Sequence, residues 1–170
     1  SALLTSIAIV REKEVGTMEQ ILVSPIHPIQ IIIGKVVPYT ILGFIDSLLI
    51  LFIGNTWFQV PIHGSMLFLS IALVIYILTG LSFGLLISTI TESQRSAMMA
   101  ALVSTILPTI MLSGFIFPVS SMPEIFQYVS KIIPATHFLE IIRGIMLKGI
   151  GLKELYMQTI YLVIISAFLI

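Results

Sequence analysis

The sequence predicts an all-α polytopic membrane protein, and three observations carry that class. Hydrophobic residues make up 58% of the 170 positions and charged ones 9%, where a soluble domain carries about 25% charged residues. With a mean hydropathy of +1.15, the chain lacks the material for a polar shell. Second, residues 65–90 and 97–117 hold no charge, and each is long enough to supply the roughly 20 apolar residues a helix needs to cross a bilayer. Third, polar residues collect in the connections between such runs.

Taken in order, residues 1–10 are apolar but too short to span and read as the end of a truncated span. Residues 11–28 form a polar connection with amphipathic helix patterning. Within it Thr17 and Gln20 have the spacing of a capping box, which predicts a short helix over 18–23 ended by Pro25. Residues 29–54 are a span holding Lys35 near one end and Asp46 further in. The connection 55–64 carries Trp57 and Pro61, suited to an interfacial turn with an aromatic anchor. Residues 65–90 are the next span, 91–96 a tight polar loop, and 97–117 the third complete span, with Pro108 as a source of a kink.

In 118–152, Ser121 and Glu124 have capping-box spacing, and Met122, Ile125, Phe126, Val129 and Ile133 lie on one apolar face. Pro134 separates this helix from a second one, where Glu140 and Arg143 are spaced to pair at i,i+3. Residues 153–170 read as a last span, also truncated. Three complete and two truncated spans result.

Charge does not orient these spans. Arg11, Lys13, Lys35 and Arg95 lie on one side, against Lys131, Arg143, Lys148 and Lys153 on the other, so the positive-inside rule is tied. Lys35 is placed to snorkel to the nearer interface. Asp46 has two readings: a polar contact in a path or at a seam between subunits, or a carboxylate hydrated near the outer interface. Gly80 and Gly84 form a small-xxx-small pair that permits close helix approach.

Several chemistries are excluded. With no cysteine there is no disulfide, thiol catalysis or Cys-based metal site. Net charge is zero, so no basic field for nucleic acid exists. No GxxxxGK[ST] loop is present to cradle nucleotide phosphates. His137 and Glu140 lack the third ligand of an HxxEH zinc motif, and His27 and His63 stand far from them in sequence. Catalytic, cofactor-binding and metal residues are all expected to be absent. Too few polar groups lie inside the spans for a secondary transporter.

Two segments carry a family resemblance. The run REKEVGTMEQILVSP, residues 11–25, closely resembles the segment after the second span of ABC-2 type permeases, where a short cytoplasmic coupling helix meets the ATPase. Arg11, Glu12, Lys13, Glu14, Gly16, Thr17, Glu19, Gln20, Leu22 and Pro25 fall as that pattern places them. Residues 112–149 are similar to the family's last extracytoplasmic segment, with its Gly-Phe-Ile-Phe-Pro turn and short, partly re-entrant helices.

The resemblance implies an ABC-2 (type V exporter-like) transmembrane bundle in the inner membrane, with this chain as the C-terminal half of a permease. It makes residues 11–28 a cytoplasmic coupling segment, with Arg11, Glu12, Lys13, Glu14, Gly16, Thr17, Glu19 and Gln20 as ATPase-coupling residues. Asp46, Phe115, Phe117, Pro118, Glu140 and Arg143 become candidates for a translocation path or exit. It further implies an ABC ATP-binding subunit that carries ATP and Mg, a second permease subunit (the same chain or another), and export of an amphiphilic or hydrophobic substrate: drug, lipid or glycoconjugate. The competing expectation is a non-transporting membrane scaffold, or a regulatory partner that recruits an ATPase.

Overall fold

The computed structural model of the chain describes residues 2–17, 27–61, 63–149 and 152–169. Among these residues the secondary structure is entirely helical. Helix α1 is Ala2–Val15, α2 Pro28–Thr56 and α3 Met66–Ile90. Next come α4 (Gln94–Ala101), a π-helical turn (Leu102–Ile106) and α5 (Leu107–Leu112). A 3₁₀ turn at Val119–Ser121 leads to α6 (Glu124–Ile132), α7 (Pro134–Lys148) and α8 (Leu152–Leu169). The segments Gln30–Thr56, Met66–Ile90 and Gln94–Leu112 are long and apolar enough to cross a membrane by length and composition, and Glu154–Leu169 is apolar but shorter.

Helix α3 is the axis of the bundle. It packs against α1, α2, α7 and α8, and 44% of its apolar window is buried, against 6% for α2. Its Phe68, Leu69, Ala72 and Leu73 meet Ile141 and Ile145 of α7 and Leu155 and Leu162 of α8. Lipid tails are as apolar as leucine, so such contacts depend on close fit rather than on expulsion of water. Glycine supplies that fit. A Cβ at Gly84 would collide with the backbone of Ala2, whose Cα would lie at 3.0 Å. Gly64 likewise sits against the backbone and side chain of Ile145, while Gly144 faces the side chain of Leu155.

The pair α6–α7 dips into the bundle and returns. Phe138 of α7 stacks on Tyr76 of α3, ring centroids 4.2 Å apart, and Tyr76 lies about 15 Å along α3 from its start at 1.5 Å per residue. Further along α7, Ile145 reaches Gly64, just before α3 begins. The turn between α6 and α7 therefore lies deep, and α7 climbs back to the end where α3 starts. Antiparallel α8 then descends, with Tyr161 stacked on buried His137 at 5.2 Å.

Several expectations change here. The polar connection does not begin at residue 11, because α1 stays helical through Arg11, Glu12, Lys13 and Glu14 to Val15. Gly16 then turns at φ 76°, which a residue without Cβ adopts at little cost. The helix expected over 18–23, with Glu19 and Gln20, lies outside the described residues. The third span ends at Leu112 rather than 117, and the chain turns at Gly114, φ 82°.

Pro108, expected as a source of a kink, lies in the first turn of α5 directly after the π-helical turn, where the widened backbone relieves the clash of the ring with the carbonyl four residues back. Ser121 does not cap α6. Pro123 holds the N-cap position with no side-chain bond, because Ser121 is spent in the 3₁₀ turn. The predicted apolar face of α6 points outward, with Ile125, Phe126 and Val129 exposed.

Replacing Gly84 with Val should separate α1 from α3 and lower the thermal midpoint in detergent, since overpacking costs about 1–3 kcal/mol. Gly34→Ala, with open space around it, should be neutral or slightly stabilising.

Candidate coupling site

Four helix ends converge at one end of the bundle: the C-termini of α1 and α3 and the N-termini of α2 and α4. Each such end leaves backbone groups without intrahelical partners. The charged run at the end of α1 reaches the other three helices in succession, two of them at such backbone groups and α2 through a side chain. The Glu12 carboxylate forms an ion pair with Lys35 of α2, both side chains partly buried. The Lys13 ammonium donates to the carbonyl of Ser88, in the last turn of α3. Glu14 accepts from the backbone N–H of Gln94, the first residue of α4, at 2.8 Å, and from the Gln94 side-chain amide. Cations suit helix C-termini and anions N-termini because of the backbone dipole. Glu12, Lys13 and Glu14 alternate in sign as their three neighbours require.

The Gln94 hydrogen bonds, side chain first and backbone second, hold the Glu14 carboxyl below the usual glutamate range. The folded value lies below the unfolded one. The stabilisation is therefore complete at neutral pH and is lost as pH falls through the lowered value. Ser93 fixes the same turn by accepting from the N–H of Ser96 at 3.2 Å. Thr17 donates to the Glu12 carbonyl at 3.2 Å and closes the end of α1. Arg11, by contrast, is exposed. The partners Lys35, Ser88 and Gln94 carried no expectation of such contacts: Gln94 was legible only as a residue in a polar loop, and Lys35 pairs rather than snorkelling freely.

The opposite end satisfies its loose carbonyls similarly. Arg143 donates to the carbonyls of Gly114, at 3.2 Å, and Phe115. Ser130, fully buried, donates to the Leu112 carbonyl at 2.6 Å. Arg143 therefore serves the end of α5 and not the expected pair with Glu140, which is exposed. Phe115, Phe117 and Pro118 are exposed around this turn. Arg143 and Phe115 are thus brought together, whereas Asp46 stands elsewhere, on α2.

Asp46 is exposed on α2 and has no hydrogen-bond or ion-pair partner among the described residues. It lies about 16 Å along the helix from Lys35 and the same distance from Trp57.

A cleft of about 910 Å³ opens between α3, α5, α8 and the α6–α7 turn. Its wall is largely apolar, with Tyr76, Thr79, Thr105 and Thr109 as polar members. None of the six path residues proposed from sequence lines it. Among the described residues no three His, Asp or Glu side chains come together to hold a metal.

Residues 1–147 match the family described as ABC-2 type transporter. The chain is 41% identical over 148 residues to the "Probable multidrug ABC transporter permease YbhS" of Escherichia coli K12, covering 87% of this chain and 39% of that protein. It is 38% identical over 165 residues to the "Probable multidrug ABC transporter permease YbhR" of the same organism, covering 97% of this chain and 45% of that protein. Similarity extends to "ABC transporter G family member 20" of Dictyostelium discoideum, 30% identical over 163 residues, which are 96% of this chain and 22% of that protein. The chain thus spans less than half the length of these relatives. No solved structure matches it.

Reversing Glu12 to Lys should destabilise the bundle in detergent, and adding Lys35→Glu should restore it. The double-mutant cycle is expected to give a coupling of about 0.5–1 kcal/mol, measured as thermal or denaturant unfolding.

Proposed function

The chain belongs to the ABC-2 type transporter family, and from that premise we propose that it forms the C-terminal half of the permease of an ATP-driven exporter. The permease functions in the inner membrane as a multi-pass subunit. It pairs with a second permease and with an ATP-binding subunit that carries ATP and Mg. The substrate is amphiphilic or hydrophobic, of the drug, lipid or glycoconjugate type. The permeases named for multidrug transport among its relatives support that class.

The observation that carries this reading is the convergence of Glu12, Lys13 and Glu14 on three other helices. The side holding Arg11–Gly16, Thr91 and Ser93 is cytoplasmic in this reading, and the 113–149 segment faces outward. A push delivered by the ATPase to residues following Gly16 would reach α1 first. Through the three contacts it would reach α2, α3 and α4 together. Motion of these helices would reshape the cleft beneath the α6–α7 turn and open a route past the Gly114 bend. The coupling residues are therefore of two kinds. Glu12, Lys13 and Glu14 transmit force within the chain, while exposed Arg11 is free to meet the ATPase, with Glu19 and Gln20 assigned to the same contact.

In full-length permease reconstituted with its ATPase, Glu14→Lys should leave assembly and ATP turnover in place and abolish ATP-driven transport. Wild-type transport by this variant would remove the coupling assignment. A purified wild-type complex with no substrate-stimulated ATP turnover would favour the scaffold instead.

A further inference from the structure

The geometry points to Gln94 as a positioning residue that carries the coupling stroke into the π-helical turn Leu102–Ile106 and so moves the wall of the cleft. This rests on the exporter reading and adds to it a receiving residue and a yielding element.

Gln94 offers Glu14 two donors, its backbone N–H at 2.8 Å and its side-chain amide. A two-point contact fixes direction as well as distance, so a displacement of the end of α1 is passed to the first residue of α4. From there α4 is regular for two turns, and Ala97 and Ala101 are fully buried, which keeps it a stiff rod. At Leu102 the backbone widens into the π turn.

Three features make that turn the place where the rod yields. Pro108 supplies no N–H and prevents a regular ladder through the turn. The hydroxyls of Ser104 and Thr105 donate to the carbonyls of Ala100 and Ala101, so polar partners remain available locally if the turn changes register. Val103, Ser104 and Ile106 are exposed, so no tight packing opposes movement there.

What moves is the cleft wall. Thr105, Ile106, Thr109 and Ile110 line the cleft along the turn and just beyond it. A change in the winding of the turn rotates the residues beyond it relative to α4, because hydrogen bonds that close over one residue more or fewer alter the rotation per residue. The hydroxyl of Thr109 would then turn towards or away from a guest in an otherwise apolar space.

The test uses spin labels at exposed Met98 and Met111, on either side of the turn, in the full permease–ATPase complex. Wild type should show a label distance that changes on ATP binding. Gln94→Leu, and Gln94→Glu, which sets two carboxylates together, should abolish that change while ATP turnover and co-purification of the ATPase stay as in wild type. The exchanged pair Glu14→Gln with Gln94→Glu restores an amide opposite a carboxylate and should restore the change. A change that persists in both single variants, or a wild-type complex that turns over ATP with an invariant distance, overturns the proposal and leaves the exporter reading intact. Failure of the wild-type chain to assemble with any ATPase overturns both.

Discussion

The charged end of the bundle depends on the hydrogen bonds that Lys13 and Glu14 make to helix ends not their own. Each helix end leaves backbone carbonyls or N–H groups without intrahelical partners. The last turn of α3 meets that need through the Lys13 ammonium, and the first turn of α4 through the Glu14 carboxylate. The loop between these helices can then be short, because both of its flanking ends are satisfied from outside. The cost of satisfying the backbone is met by α1, which thereby becomes mechanically joined to both neighbours. The Glu12–Lys35 pair adds α2 to the same junction. A structural requirement and a device for transmitting force are here the same set of contacts.

The other end follows the same physics with different residues. The α5 end at Leu112–Phe115 is held by Ser130 of α6 and Arg143 of α7. The carbonyls at the end of this helix find their partners on α6 and α7, which fold back against it. That makes the re-entrant pair part of the bundle. Its deep turn borders the cleft, as does the wall formed by the π turn and α5. Movement at either would change the same space.

How much of this was legible in the sequence depends on the range of the interaction. Residues 65–90 are apolar throughout and read as a span, but that this span would be the central helix of the bundle was not visible in the sequence. Gly84 was visible as half of a small-residue pair, but that its neighbour would be the backbone of Ala2 was not. The alternating signs of Glu12, Lys13 and Glu14 were visible too. Their partners Ser88 and Gln94 lie 75 and 80 positions away, and no local pattern reveals such pairings. Local rules failed where a distant group outcompeted a near one. Arg143 was spaced to meet Glu140, yet two unpaired carbonyls at the end of α5 are the more demanding acceptors. Ser121 had the spacing of a cap, but the 3₁₀ turn took it first. The cleft left no trace in sequence, because its wall is drawn from separate helices with ordinary apolar residues.

The central claim is that the contact between α1 and α4 stays closed while the ATPase works, so that force passes through it. The 170 residues contain no cysteine, so once any cysteines elsewhere in the reconstituted complex are replaced, Glu14→Cys with Gln94→Cys gives a defined cross-link. Oxidation to the disulfide should preserve ATP-driven transport, because the two helices move as one body. Transport lost on oxidation and regained on reduction would mean that α1 and α4 must part during the cycle, and would contradict the account.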